Sequence, residues 1–218
     1  MRTMTSPRGR VRAIGLTVAM AATALVSSGP AAAVGTTPYG HNLVRNGGAE
    51  NGSPGTTIPG GWEFDGNFAV VSYGDGGVPP VSQSHAFGGG RQLFATGSYD
   101  GTTDTCGSAT QFIHIQGRGG AIDTGHVRVA LKARLGTELH GTDTATVTLQ
   151  FRDGNNEQVT QSQLKLGPVS TTETMSAGSA SRTVPRKTRE FRVQLLGSQT
   201  DPVCDAFFDK VSVVISAI

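Results

Sequence analysis

Short segments in which apolar and polar residues alternate one by one constrain this chain more than any other feature. Glycine, Asn, Asp and Pro residues punctuate them, and the period of two is that of a β-strand with one buried face. No segment shows the period of an amphipathic helix. The clearest segments are residues 110–116, 126–135, 144–152, 190–196 and 208–215, and weaker ones are 43–45, 68–73, 91–96, 159–166 and 181–184. About ten short strands joined by turns predict an all-β protein, a β-sandwich or jelly roll.

The alternation also assigns side chains to an inner and an outer face of each strand. Residues 126–135 place Val127, Val129, Leu131, Ala133 and Leu135 inward, and segments 144–152 and 190–196 repeat this phase. By the same parity, Phe112, His114, Gln116 and Phe208 are exposed candidates for contact with a ligand. Five outward cations are predicted to form one row on one sheet face: Arg128, Lys132, Arg134, Arg152 and Arg192. Such a row could receive an acidic glycan, or it is an ordinary solvated face with local ion pairs.

The N-terminal 33 residues predict a secretory signal peptide. Four arginines precede a 14-residue apolar run, and the run is followed by three alanines at 31–33. The run is shorter than the roughly 20 residues that span a bilayer, so membrane insertion is not expected. Four of the 18 Lys and Arg residues but none of the 16 Asp and Glu residues lie in this segment. The mature chain would therefore be weakly acidic, which disfavours a nucleic-acid partner.

The remaining chain is predicted to form one extracellular domain and a monomer. Residues 34–41 are expected to be a flexible leader, and residues 42–218 the sandwich. The 31 glycines are about twice the usual frequency of roughly 7%, but they separate apolar segments instead of forming one low-complexity tract. Cys106 and Cys204 are the only cysteines, and in an oxidising compartment they predict a disulfide.

Three motifs carry a resemblance to a known family. Residues 42–50 read NLVRNGGAE, residues 58–62 read IPGGW, and residues 207–213 read FFDKVSV. Together they resemble CenC-type carbohydrate-binding modules, which are galactose-binding-like β-sandwiches. Two further features resemble a group of secreted bacterial domains. One is the segment of residues 66–74, and the other is the Gly-rich segment 88–90 that precedes the SATQ of residues 108–111. The resemblance spans nearly the whole mature chain and implies the fold more specifically than the ligand.

The resemblance also implies a structural Ca²⁺ that ties the opening segment to the closing strand. Glu50 and Asp209 would supply carboxylates and backbone near Gly48 would complete the shell, although Ala49 and Lys210 depart from the family pattern. Asp209 shares parity with Val211 and so starts inward, where a hard cation would offset the cost of a buried carboxylate. The alternative is that Asp209 reaches solvent or an arginine. The resemblance further implies that Trp62 packs in the core rather than serving as a platform.

Catalytic motifs are missing from the sequence. No G-x-S-x-G elbow, H-E-x-x-H motif or P-loop is present, and the five histidines lack metal-ligand spacing. The carboxylates Asp65, Asp75, Asp100 and Asp104 could pair as in a glycosidase, but Asp in Gly-rich loops more often forms turns. The sequence therefore predicts a secreted, non-catalytic carbohydrate-binding protein for a soluble or cell-envelope glycan. The rivals are a secreted interaction domain without sugar binding and, third, a hydrolase with an unrecognised site.

Overall fold

The structure, a computed structural model, describes residues 35–55, 61–97, 105–138, 143–171, 174–199 and 204–218. The predicted signal peptide and the residues Tyr99, Asp100 and Asp104 lie outside these ranges. The described ranges form strands β1 (Glu63–Asp65), β2 (Phe68–Ser72), β3 (Gln92–Thr96), β4 (Ser108–His114), β5 (Val127–Thr137), β6 (Thr144–Arg152), β7 (Leu164–Val169), β8 (Ser176–Thr183), β9 (Glu190–Ser198) and β10 (Ala206–Ala217), with helices α1 (Val81–Phe87) and α2 (Gly119–Asp123).

The strands form two five-stranded antiparallel sheets, so the predicted β-sandwich is confirmed. Sheet 1 has the order β1-β4-β9-β6-β7, and sheet 2 has the order β2-β3-β10-β5-β8. Sequence neighbours such as β5 and β6 lie in different sheets, which places their outward side chains on opposite sides of the sandwich. This division decides which of the predicted surface residues can act together.

The core lies between the sheets and follows the predicted alternation. Val127, Val129, Leu131 and Leu135 of β5 are fully buried, as are Ala145, Val147, Leu149 and Phe151 of β6 and Phe191, Val193 and Leu195 of β9. Trp62 is also in the core, at 5% exposure, and its indole N–H donates to the carbonyl of Arg45 at 3.0 Å. Each of these strands presents one apolar face, and two such faces bury each other.

A disulfide joins Cys106 to Cys204, as the sequence predicted. Cys106 comes just before β4 of sheet 1, and Cys204 comes just before β10 of sheet 2. The bridge therefore links the two sheets at the start of these strands and closes a loop of 98 residues.

Several details of the strand prediction were wrong. Residues 43–45 form no strand: Asn42 makes an isolated bridge to Val214 of β10, and the Leu43 N–H donates to the carbonyl of Val213 at 2.8 Å. The strand predicted at residues 159–166 is observed later in the chain, as β7 at Leu164–Val169. Strand β1 was not predicted, because its three residues are too few to show a period. Two short helices, α1 and α2, were missed for the same reason. No helix among the described residues is long and apolar enough to cross a membrane.

Candidate functional site

The outer face of sheet 1 carries a grid of polar side chains that we call the polar face. It is formed by outward residues of β4, β9 and β6, namely Thr110, Phe112, His114, Glu190, Arg192, Gln194, Thr146, Thr148, Gln150 and Arg152. Antiparallel register aligns them in rows across the strands: Phe112 lies opposite Arg192, and Arg192 lies opposite Gln150. The guanidinium carbon of Arg192 lies 6.0 Å from the centre of the Phe112 ring.

Three atoms of the polar face are buried and have no hydrogen-bond partner among the described residues. They are Thr148 Oγ1, Glu190 Oε1 and Arg192 Nε. Thr148 is 8% exposed and Glu190 is 5% exposed, so both side chains are more than nine-tenths buried. The other carboxylate oxygen of Glu190, Oε2, lies 2.8 Å from His114 Nδ1. Buried polar atoms are nearly always hydrogen-bonded, so three such atoms on one face are unusual.

A cleft of about 300 Å³ runs along one side of the polar face. Strand β1 forms its wall with Glu63, Phe64 and Asp65, and its floor includes Phe112 and Arg192. The cleft thus combines two partly exposed aromatic rings, Phe64 and Phe112, with hydroxyl, amide, carboxylate and guanidinium groups. These are the groups that orient a sugar ring and its hydroxyls.

The predicted row of five cations is split between the two sheets. Arg152 and Arg192 belong to the polar face, whereas Arg128, Lys132 and Arg134 lie on β5 and point outward from sheet 2. The expectation of one row was wrong because alternation fixes inward and outward only. It does not tell which sheet a strand joins.

The three cations of β5 lie on what we call the basic face. This is the outer face of β5, β8 and β10, with Arg128, Lys132, Arg134, Ser179, Ser181, Thr183, Ser212 and Ser216. Arg134 is half-buried, since its guanidinium lies over the Phe87 ring at 4.6 Å and donates to the carbonyl of Met175 at 3.4 Å. A groove of about 460 Å³ runs here between Phe87, Lys132, Arg134 and Lys210.

A bulge in β10 changes the predicted position of Asp209. From Asp209 to Ser212 the strand advances three residues while β5 advances two, and Lys210 in the bulge has a left-handed φ of 52°. The extra residue reverses the parity, so Phe208 points into the core and is fully buried, not exposed as predicted. Asp209 points to the outer side of sheet 2, opposite Arg134, rather than into the core with Val211.

Asp209 is nevertheless fully buried, under two Gly-rich segments. Its Oδ2 accepts a hydrogen bond from the Tyr73 hydroxyl at 2.7 Å, and its Oδ1 accepts one from the backbone N–H of Lys210 at 2.5 Å. Burial raises the pKa of Asp209 to about 7 even though both hydrogen bonds lower it. Burial and the nearby Asp209 charge also raise the pKa of Tyr73 far above its usual range. The prediction that Asp209 reaches solvent or an arginine was therefore wrong.

Glu50 lies in the same neighbourhood as Asp209. Three glycines pack so closely against the two carboxylates that a side chain would collide with them or crowd them. A Cβ on Gly89 would lie 2.5 Å from Asp209 Oδ2, and one on Gly48 would lie 3.3 Å from Asp209 Oδ1. A Cβ on Gly90 would lie 2.3 Å from Glu50 Oε1. Glycines at these positions thus let two carboxylates pack against backbone. Glu50 Oε1 accepts the backbone N–H groups of Arg91 and Gln92, each at 2.9 Å.

The carboxylates of Glu50 and Asp209 are oxygen donors of the kind that Ca²⁺ takes. Glu50 lines a cleft of about 440 Å³ with Asn42, Gly47, Gly48, Gly88, Gly89, Gly90 and Lys210, and the carbonyls of Gly47, Gly88 and Gly90 there already accept hydrogen bonds. Among the described residues, no group of three or more His, Cys, Asp or Glu side chains is arranged to hold a metal. Carbonyl oxygens would therefore have to complete the shell. Lys210 brings a positive charge to the same cleft, where its ammonium donates to the carbonyl of Gly88 at 2.9 Å.

Of the predicted ligand-binding residues, the structure brings together Phe112, His114, Arg152 and Arg192 on the polar face. Sequence reasoning missed Glu63, Thr148 and Glu190 there. Thr148 was assigned outward, but nothing in the alternation indicates that an outward threonine is buried. Sequence reasoning also left Lys210 and Phe87 out of the basic face, because the bulge and the helix α1 that position them have no period to detect.

Solved structures similar to this chain include carbohydrate-binding modules. A family 16 carbohydrate-binding module, "Family 16 Carbohydrate Binding Module-2", has a TM-score of 0.51 and 20% identity over 79% of this chain and 99% of its own. TmCBM61 in complex with β-1,4-galactotriose has a TM-score of 0.48 and 14% identity, over 82% of this chain and 99% of its own. At 20% identity, the likeness to the family 16 module shows the β-sandwich fold alone.

The enzymatically active domain of bacteriophage CBA120 tailspike protein 4 is also similar to this chain. It has a TM-score of 0.53 and 16% identity over 81% of this chain, and the chain spans about a fifth of that domain's length, 21%. No protein-family model and no curated protein matches the sequence. The CenC-type assignment therefore stays a prediction.

Proposed function

We propose that this protein binds carbohydrate non-catalytically on the polar face. The observation that carries the proposal is the set of three buried, unpartnered polar atoms, on Thr148, Glu190 and Arg192, beside the half-exposed ring of Phe112. A sugar ring stacked on Phe112 would bring hydroxyls to these atoms, and each hydroxyl can both donate and accept. Such a ligand satisfies a hydroxyl, a carboxylate and a guanidinium at once.

The fold shared with a family 16 carbohydrate-binding module supports this proposal. The small number of exposed aromatic rings narrows the class of ligand, because the cleft has only Phe112 and Phe64 among the described residues and Trp62 is buried. So few rings suit a soluble chain or a chain end better than a crystalline polysaccharide, which needs several aligned rings. We propose that a monomer exported by the N-terminal segment meets such a soluble or cell-envelope glycan outside the cell.

The experiment is retention of the purified, oxidised protein by neutral soluble polysaccharides such as galactan, xylan, mannan and β-glucan. Phe112→Leu removes the flat ring and keeps the apolar bulk, and we expect it to weaken binding at least tenfold, about 1.4 kcal/mol. Phe87→Leu is the matched control, because Phe87 also pairs with an arginine but lies at the basic face. Retention by no polymer, or equal binding by both variants, would remove the proposal.

We also propose that Glu50 and Asp209 hold a structural Ca²⁺, which would offset the burial of Asp209. In this case EDTA lowers the melting temperature and Ca²⁺ restores it. Glu50→Gln keeps an oxygen for the N–H groups of Arg91 and Gln92 but removes the charge, so its melting temperature should respond less to Ca²⁺. An unchanged melting temperature in the original protein would rule the ion out and leave Lys210 as the compensating charge.

A secreted interaction domain without sugar binding is the second candidate. The observation that favours it is the exposure of two large apolar side chains on sheet 1, Phe64 at 43% and Leu196 at 40%. Exposed apolar side chains of this size suit a protein partner. Failure of every glycan to bind, with a loss of partner binding in Leu196→Ser, would select it. A hydrolase is the third candidate, and reducing ends released from a bound polymer would identify it.

A further inference from the structure

The basic face presents two cations, Arg128 and Lys132, that form no ion pair with an acidic side chain of the described residues. Arg128 and Lys132 are exposed, and neither takes part in the ion pairs of the described residues, which join His114 to Glu190 and Asp123 to Arg189. Their cross-strand neighbours are small and uncharged: Thr183 and Ser216 beside Arg128, Ser179 and Ser212 beside Lys132. The face is thus positive and lined by hydroxyls.

Among the described residues, the acidic side chains Asp209 and Glu50 lie at one end of this face, beside Lys210. Asp209 is buried below it, and Glu50 lines the neighbouring cleft that shares Lys210 and Ser212 with the groove. On β8 the outward residues from Ala177 to Thr183 include no carboxylate. Arg128 and Lys132 therefore keep their full attraction for an anion.

The spacing of the cations suits a polymer rather than a small anion. Lys132 and Arg134 are two residues apart and Arg128 and Lys132 four apart, which along a strand corresponds to about 7 Å and about 14 Å. The backbone separation of about 14 Å between Arg128 and Lys132 is too long for one carboxylate or phosphate to bridge readily, whereas Lys132 and Arg134 are close enough to share one. A chain that carries a negative charge at repeated intervals can meet each cation in turn.

The chemistry of the face also favours a polysaccharide over a nucleic acid. Single-stranded nucleic acids bind where bases stack on several aromatic rings. The groove has one ring, Phe87, and the guanidinium of Arg134 covers it. Serine and threonine hydroxyls, in contrast, lie on both sides of β5, where they can bond sugar hydroxyls between the charged positions.

We infer that the outer face of β5, β8 and β10 is a second binding surface, separate from the polar face, which takes an acidic polysaccharide bearing carboxylates. This surface does not depend on the polar face, because the two lie on opposite sheets. It binds through Arg128 and Lys132, with Ser179 and Ser212 beside Lys132 and Ser181 between the two charged positions. A protein with both surfaces can hold a neutral and an acidic glycan at the same time.

The test compares polygalacturonate with its methyl ester, which has the same backbone and no charge, using the full oxidised protein. We expect retention by polygalacturonate at low ionic strength and its loss at about 1 M salt, where the Debye length is about 3 Å. The methyl ester should be retained at least tenfold less. Equal retention of both polymers, or no retention of polygalacturonate, overturns the inference.

Paired variants locate the surface. Arg128→Gln with Lys132→Gln should weaken binding of polygalacturonate at least tenfold. Lys165→Gln with Lys187→Gln removes the same charge from exposed positions outside the basic face and should leave binding within twofold. Equal losses in both pairs would mean that net charge alone attracts the polymer, and equal binding of a single-stranded oligonucleotide would mean an unspecific polyanion surface. Either result overturns the inference.

These measurements are independent of the proposed neutral-glycan site. Phe112→Leu should keep its affinity for polygalacturonate, and the Arg128 and Lys132 pair should keep its affinity for a neutral polymer. Melting temperatures of all variants check that the fold is intact. Loss of neutral binding alone would therefore contradict only the proposed function, and loss of acidic binding alone only the second surface.

Discussion

Each outer face of the sandwich places one arginine beside one phenylalanine ring, yet the two faces use this pair differently. On the polar face, Arg192 lies 6.0 Å from the Phe112 ring and its Nε is buried without a partner. On the basic face, Arg134 covers the Phe87 ring at 4.6 Å and donates to a backbone carbonyl. The first arrangement leaves ring and guanidinium for a ligand, whereas the second uses both in the protein itself.

The two faces differ in both burial and charge. A buried polar atom that lacks a partner gains a full hydrogen bond from a ligand with the correct geometry, which favours specificity. An exposed cation such as Lys132 interacts through screened charge, which attracts many anions and weakens with salt. One sandwich can thus present a selective surface and an electrostatic surface on opposite sheets.

The largest expected effect is a loss of stability that would disturb both faces, after removal of the disulfide. Cys106→Ala with Cys204→Ala removes the link between β4 of sheet 1 and β10 of sheet 2. We expect the free energy of unfolding to fall by about 2–5 kcal/mol, since the bridge closes a 98-residue loop and Cys204 is fully buried. Urea unfolding of oxidised, reduced and variant protein measures this loss. Similar midpoints for all three would contradict it.

We also expect pH to have a large effect on the stability of the folded protein, through Asp209 at the margin of the basic face. Burial raises the folded pKa of Asp209 to about 7 from its ordinary value of 3.8, so the folded protein binds more protons than the unfolded chain between these values. In EDTA, stability should therefore fall as pH rises from about 4 to about 7, by about 1.4 kcal/mol for each unit of pKa difference. Asp209→Asn should flatten this slope in melting curves.

Added Ca²⁺ gives the control for this pH dependence. An ion held by Glu50 and Asp209 would favour the ionised carboxylate and reduce the fall in stability above neutral pH. A slope that persists unchanged in Asp209→Asn would assign it to another group.

A smaller effect would sharpen the description of the polar face. Thr148→Val keeps the β-branched shape and removes a buried hydroxyl that has no partner among the described residues. We expect the free protein to become more stable by about 1 kcal/mol and the affinity for a neutral glycan to fall several-fold. Chemical denaturation and glycan titration measure the two changes. A less stable variant would mean that the hydroxyl already has a partner in the free protein.

The smallest effect is expected away from both faces, at the ion pair of Asp123 with Arg189. The Arg189 side chain, 2.6 Å from Asp123, lowers the pKa of that exposed carboxyl to about 2. Its contribution to stability is present above pH 3.8 and is lost as pH falls toward 2. Asp123→Asn should lower the melting temperature slightly at pH 6, should not do so near pH 2, and should leave both glycan affinities unchanged. A change in either affinity would contradict the separation of the surfaces.

Much of the fold could be predicted from the sequence because alternation has a direct physical meaning. The inward residues of β5, β6 and β9 were all predicted correctly, since each strand must turn its apolar side to the core. The disulfide followed from two cysteines and an oxidising compartment. The prediction failed where one residue changes the phase, as at the Lys210 bulge, and where an element is too short to show a period, as in β1.

Less of the candidate site could be predicted. Phe112, His114, Arg152 and Arg192 were correctly placed outward, but Thr148 and Glu190 were not singled out. Their role depends on burial by neighbouring strands that are distant in sequence. The division of the cations between two faces also depends on strand pairing that is distant in sequence, because β5 and β6 are adjacent in the chain but lie in different sheets.

By itself, the sequence determined the fold class, the core-facing positions and the disulfide, because these follow from periodicity and from residue type. Only the tertiary structure decided which outward residues share a surface, that Asp209 is buried beside Tyr73, and that three polar atoms lack partners on one face. The physical reason is that strand pairing is long-range. The local chain fixes which side a residue points to, and the partner strands fix what it meets there.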